Sequence, residues 1–126
     1  MTYFFDEEGA EEVEKLLKAG EKKRIRLNAS FMTYMEVLYR IWQRLGEKEG
    51  KSFYYRLKAL PIQEVTQTEP LMMEAAKFKV QYTLSVADAW IAATAFYSQS
   101  ILVHKDPEFD PLSSQLSLLP LPYKRP

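Results

Sequence analysis

A chain of 126 residues makes one domain and buries roughly two-thirds of its unfolded surface, enough for one core. Its 17 Lys and Arg balance 17 Asp and Glu, which excludes whole-molecule attraction to nucleic acid or an anionic membrane and leaves only local patches. A 47% hydrophobic share excludes intrinsic disorder; the lack of cysteine excludes disulfides, thiol nucleophiles and sulfur-ligated metals; a single histidine, His104, argues against histidine-rich metal centres and a Ser/His triad. Chemistry here must rest on carboxylates.

The amino terminus turns acidic within its first six residues, which is unlike a secretory signal. The longest uncharged apolar stretch, Ala89 to Tyr97, is about half of the roughly 20 residues a membrane-spanning helix needs, so a cytoplasmic protein without membrane contact is expected. Gly9 to Ala19 reads as a helix, with acids early, lysines late and Gly20 placed to stop it. Arg24–Asn28 alternates charged and apolar residues and reads as a short strand. Phe31 to Leu45 is next, a longer helix carrying Tyr34, Leu38, Ile41, Trp42 and Leu45 on one stripe. Gly46 ends or bends it, Ser52 to Leu60 is helical again, and Ile62–Val65 is a brief strand after Pro61.

Pro70 suits the first turn of the next helix, whose apolar face is Leu71, Ala75, Ala76 and Phe78. An alanine-rich helix from Ser85 through Ser98 can pack closely on its neighbours. Ile101–Val103 is a continuous apolar run expected to be covered on both faces, and Leu116 to Leu121 is a last short strand. Strands separated by helices, with short connections, predict an α/β domain around a parallel sheet, spanning residues 1–126 as one unit.

Three acids fall where such a fold gathers its chemistry. Glu36 lies near the start of the helix after the first strand, Asp88 in the first turn of the Ser85 helix, and Asp106 directly after the Ile101–Val103 strand. In right-handed βαβ units the strand carboxyl ends and the adjoining helix amino ends share one sheet edge, where ligands bind. Clustered carboxylates repel unless a cation neutralises them, and without sulfur or several imidazoles the suitable ion is Mg²⁺ or Mn²⁺. Such an ion activates water and stabilises charge on a phosphate oxygen, which makes phosphodiester hydrolysis the reaction class. Each acid also has a structural explanation. Ser85–Asp88 and Thr33–Glu36 match the S/T-x-x-D/E helix cap, and Asp106-Pro107 is a common turn opening. Spacing leaves both readings open.

Longer segments carry a family resemblance. Ser30-Phe-Met-Thr-Tyr-Met-Glu36-Val-Leu-Tyr39-Arg resembles the second acidic motif of PIN domains, the metal-dependent nuclease domains of VapC-type toxins. Leu84-Ser85-Val-Ala-Asp88-Ala-Trp-Ile91-Ala-Ala-Thr94-Ala is similar to that family's most specific signature, and Ile101-Leu-Val-His-Lys-Asp106-Pro-Glu-Phe109 resembles the strand and turn bearing a further acid. The resemblance implies a three-layer fold with a central parallel sheet, Mg²⁺ or Mn²⁺ as cofactor, and hydrolysis of single-stranded RNA. It also implies Glu36, Asp88 and Asp106 as acidic ligands with Asp110 a weaker addition, an antitoxin protein as partner, and a homodimer. The chain departs from the pattern at its start. PIN domains open with a central strand ending in Asp-Thr or Asp-Ser, whereas Met1–Gly9 resembles the segment beyond that strand, and Asp6 is expected to start or cap the next helix. A start codon assigned too late, or a shortened and catalytically impaired copy that still binds an antitoxin-like partner, are the two explanations. His104 stands where the family often carries Thr or Ser, and a structural role is expected for it. Lys22, Lys23, Arg24, Arg26, Lys77, Lys79 and Lys105 are expected to be solvated rather than to contact RNA.

Overall fold

The computed structural model describes residues 10–23, 25–104 and 107–120. The expectations placed on residues 1–9, Asp6 among them, and on Arg24, Lys105, Asp106 and Leu121 lie outside the described residues. In chain order the elements are α1 (Ala10–Glu21), β1 (Asn28–Ser30), α2 (Phe31–Leu45), α3 (Glu47–Lys58), β2 (Gln63–Val65), α4 (Glu69–Gln81), α5 (Val86–Tyr97), β3 (Leu102–His104), a 3₁₀ helix (Pro107–Ser114) and β4 (Leu118–Pro120). The α/β alternation is as expected, and all strand pairing among the described residues is parallel. It comes as two pairs: β1 on β2, with Asn28 opposite Gln63 and Ser30 opposite Val65, and β3 on β4, with Leu102 opposite Leu118.

Each pair carries its own core. Tyr34, Val37, Ile41 and Leu57 form one cluster where α2 lies against α3, with Ala29 and Ile62 packed onto it from beside the first pair. Leu71, Ala75 and Phe78 of α4, Ala89, Ala92, Ala93 and Ala95 of α5, Leu84, Leu102, and Phe109, Leu112 and Leu116 form the second and larger one. Ala92 and Ala93 are fully buried, so the small faces of α5 allow the close approach the sequence suggests. Helix α5 also contacts β1 and α2, and the Asn28 side-chain amide donates to the Ser100 hydroxyl at 3.2 Å, tying the two strand pairs together.

The helix boundaries are set by local chemistry. Gly46, at φ 98°, closes α2 by donating its N–H to the Trp42 carbonyl at 2.8 Å and at once opens α3. That helix therefore begins at Glu47 rather than Ser52, with Glu47 and Glu49 in its first turn and Arg56 and Lys58 in its last, as the macrodipole favours. Gly50 is buried against α2, where a Cβ would lie 3.0 Å from the Trp42 backbone nitrogen and 3.1 Å from the Leu38 carbonyl; the helices approach this closely only because the side chain is absent.

Several expected details are corrected. Gly20 does not stop α1, which runs on to Glu21; its missing side chain instead leaves room for Leu27, and the chain turns at Lys23, which takes a positive φ of 59°. The strand expected at Arg24–Asn28 lies at Asn28–Ser30: Ile25 is 40% exposed and only Leu27 of the alternation is partly buried, so no continuous apolar face forms there. The strand at Ile101–Val103 shifts to Leu102–His104 and is covered on one face only, with Leu102 and His104 buried and Val103 and Ile101 exposed. Ala76 is exposed, and the buried stripe of α2 runs through Val37 instead of Trp42 and Leu45, which face solvent. Among the described residues no helix is long and apolar enough to cross a membrane.

Candidate functional site

Ser30 is both the last residue of β1 and the amino-terminal cap of α2. Its backbone is extended (φ −63°, ψ 145°), its hydroxyl accepts from the Met32 N–H at 3.2 Å, and no loop separates strand from helix. Glu36 therefore rides in the second turn of α2, just beyond the strand's carboxyl end. Ser85 does the same for α5. Its hydroxyl accepts from the Asp88 N–H at 3.1 Å, which fixes Asp88 in the first turn.

The two helix starts are held together by an aromatic contact. Phe31, the first residue of α2, meets Trp90 of α5 edge to face, with ring centroids 4.9 Å apart and planes at 75°. Such a pair is worth about 0.5–1.5 kcal/mol beyond the area it buries. Asp88 lies two residues before Trp90, so the contact draws the turn that carries Asp88 toward α2.

Beside Glu36 stands Arg40, a residue the sequence did not single out. Its Nε lies 3.6 Å from Glu36 Oε1, one helical turn away, with the Glu36 side chain 27% exposed and that of Arg40 53%. Partial burial pulls the guanidinium pKa down, but a hydrogen bond with Tyr39 and the negative charges of Glu36 and Asp88 outweigh this and leave it above the ordinary arginine value. Arg40 thus feels carboxylates from two separate helices. The i,i+4 spacing of Glu36 and Arg40 was the signal available in the sequence.

Asp110 is exposed in the first turn of the 3₁₀ helix. Asp106 lies outside the described residues, and among the described residues no group of three acidic or histidine side chains is gathered in one place. His104 is 5% exposed and packs its ring edge to face on Phe109, with centroids 5.3 Å apart, which suits the structural role expected of it. Lys79 Nζ donates to the Leu84 carbonyl at 2.7 Å and so helps fix the turn into α5, while Lys22, Lys23, Arg26 and Lys77 are exposed.

Comparison with known proteins agrees with the fold. No curated protein matches the chain closely enough to count as a relative. Among solved structures it resembles VapBC2 from Rickettsia felis, bound to a DNA fragment from its promoter, with a TM-score of 0.69 and 13% identity over 87% of this chain and 84% of that one. VapBC-1 from nontypeable Haemophilus influenzae superposes with a TM-score of 0.63 and 18% identity, over 82% and 84% of the two chains. A toxin–antitoxin complex from Klebsiella pneumoniae gives 0.56 and 18% identity, over 75% and 74%. Residues 1–113 match the model of the PIN domain, and since that is most of the sequence, the chain belongs to the PIN domain family.

Proposed function

We propose that this chain is a divalent-metal-dependent endoribonuclease of PIN type and the toxin of a toxin–antitoxin pair, with residues 1–126 as one domain. The observation that carries the reading is that Glu36 and Asp88 sit in the opening turns of α2 and α5, two helices whose starts the Phe31–Trp90 contact holds side by side. Glu36, Asp88 and Asp106 are the proposed metal ligands, with Asp110 a weaker addition. A donor set made only of carboxylate oxygens, part-exposed at Glu36 and Asp88, fits a hard ion such as Mg²⁺ or Mn²⁺.

Bound there, such an ion supplies an activated water and a positive charge for the phosphate oxygen. Glu36 and Asp88 hold that position by virtue of their anionic oxygens and the rigid helix starts that carry them. The amino termini of α2 and α5 lie at the same edge and turn the positive ends of their dipoles toward an incoming phosphate. An antitoxin partner is supported by the neighbours that are toxin–antitoxin complexes. Single-stranded RNA as substrate, a homodimer and a cytoplasmic site of action rest on the family resemblance.

The test is to incubate the purified chain with single-stranded RNA in Mn²⁺ or Mg²⁺ and, separately, in EDTA. Cleavage with either ion and none in EDTA is the expected result. Cleavage that persists in EDTA contradicts the proposal. A stable complex with an antitoxin and no cleavage under any metal condition identifies an impaired copy that retains only the binding function.

A further inference from the structure

Among the described residues, only Lys23 and Gln99 carry a side chain at positive φ, at 59° just after α1 and 51° just after α5. Both help to close a helix. The Lys23 N–H donates to the Gly20 carbonyl at 3.0 Å, and the N–H groups of Gln99 and Ser100 donate to the Phe96 and Ala95 carbonyls at 3.2 and 3.0 Å. Glycine makes such a closure without the steric cost that a side chain incurs there. Helix termination therefore accounts for the conformation of these two residues and leaves their side chains unexplained.

Each side chain lines a cleft. Lys23, Arg26 and Gln63 share one of about 480 Å³ with the apolar Ile25, Leu27 and Pro61. Lys23 and Arg26 are exposed, and neither makes an ion pair among the described residues. Gln99 shares a second cleft, of about 490 Å³, with Phe96, Tyr97, Ser100, Gln115 and Ser117, and no charged side chain lines it. Tyr97 is 51% exposed there, and Gln115 is held by its hydrogen bond to the Tyr82 hydroxyl. Both clefts lie where strands begin. Leu27 directly precedes β1 and Gln63 opens β2, while Ile101 and Ser117 directly precede β3 and β4. The Asn28–Ser100 hydrogen bond joins the two strand pairs at this same edge, so a cationic cleft and a neutral aromatic one are neighbours there. Glu36 lies beyond the other end of β1.

We propose that this edge is a second binding site for single-stranded RNA, apart from the acids: Lys23 and Arg26 hold a backbone phosphate, and Tyr97 and Phe96 stack on a base whose polar edge meets Gln99 and Gln115. The ligand class follows from the two clefts together. A phosphate is held by cations, whereas rings, amides and hydroxyls without charge suit the flat face and the donor–acceptor edge of a base. A double strand keeps its bases stacked on one another and meets only the cationic cleft. The inference rests on RNA as the substrate of the proposed nuclease and adds a second grip on it. Because this grip is far from the cleaved bond, it holds substrate and transition state equally, which lowers KM and leaves kcat unchanged.

The experiment measures binding of a short fluorescein-labelled oligouridylate to the full chain by fluorescence anisotropy, in EDTA so that no cleavage intervenes. Replacing Lys23 and Arg26 together by Gln is expected to weaken binding about tenfold or more and to flatten its salt dependence. Tyr97→Ala is expected to weaken it about tenfold through lost stacking, and Tyr97→Phe, which keeps the ring, to stay close to the natural affinity. Lys23→Gly separates binding from folding: glycine accepts the positive φ, so Tm is expected to hold or rise while affinity falls. Lys77→Gln, which removes an exposed charge from α4, is the control and is expected to bind normally. Natural affinity in both the double variant and Tyr97→Ala overturns the site, and so does equal weakening by Lys77→Gln, or a natural protein that holds duplex RNA as tightly as the single strand. Cleavage assays in Mn²⁺ keep the two readings apart. Weakened binding in the variants, with no cleavage by the natural protein, overturns the nuclease and leaves this site standing; cleavage whose KM the variants do not move overturns this site and leaves the nuclease.

Discussion

Glu36→Gln and Asp88→Asn are each expected to lower the proposed metal-dependent RNA cleavage by at least about 100-fold, the scale on which removal of one charge-stabilising group from an active site is felt. Both substitutions preserve shape and remove only the negative charge, so the expected loss is one of ion binding and not of packing. The Asp88 variant separates the two readings its sequence leaves open. If the carboxylate only capped α5, its loss would cost stability and spare cleavage. Asparagine keeps an acceptor oxygen at this position, and the Ser85 hydroxyl still accepts the backbone N–H there at 3.1 Å, so Asp88→Asn is expected to cost no more than the roughly 0.3–1 kcal/mol of an acid in a helix's first turn. Single-turnover cleavage rates read against thermal melts check this. A variant that melts like the natural protein and cleaves like it would remove Asp88 from the site.

Phe78→Ala is expected to destabilise the protein by about 3–5 kcal/mol, as for large aromatic side chains deleted from packed cores. Phe78 is 1% exposed, lies in the larger core, and meets Phe96 edge to face with centroids 6.1 Å apart. It joins α4 to α5, and α5 carries Asp88, so the damage is expected to spread from packing to the site. In a domain of this size each kcal/mol moves Tm by roughly 3–5 °C, which places the expected drop at about 10 °C or more. Val80→Ala on the same helix is the control: Val80 is 86% exposed, and its truncation is expected to change stability by less than about 0.5 kcal/mol. Denaturant unfolding of the two variants side by side checks the contrast.

The sequence was most readable where a local signal and a tertiary demand coincide. Ser85 and Asp88 form a cap in the sequence and in the fold, and Ser30 opens α2 where the chain leaves β1, so both helices that carry the acids start within a residue of where they were expected. Strand positions were less readable. Asn28–Ser30 has no apolar alternation at all; it is a strand because Gln63–Val65 lies alongside it in parallel register, and that partner is remote in sequence. Leu102–His104 shifts by one residue for the same reason, since pairing with Leu118–Pro120 buries His104 and leaves Ile101 in solvent. The start of α3 was missed because Glu47-Lys-Glu-Gly50 shows no hydrophobic period, although its charge gradient was there to be read. In the site, the acids stood out as residue types, but the cation beside Glu36 did not. Arg40 is one partner of an i,i+4 pair, and the negative charge of Asp88 adds to that of Glu36 in raising its pKa only once α5 packs beside α2.

Diffraction from crystals grown or soaked with MnCl₂, using the anomalous signal to locate the ion, decides whether the acids share a metal. One manganese peak is expected at the common edge of α2 and α5, with carboxylate oxygens of Glu36, Asp88 and Asp106 about 2.1 Å from it. A manganese ion bound elsewhere, or one touched by neither Glu36 nor Asp88, would contradict the proposed site.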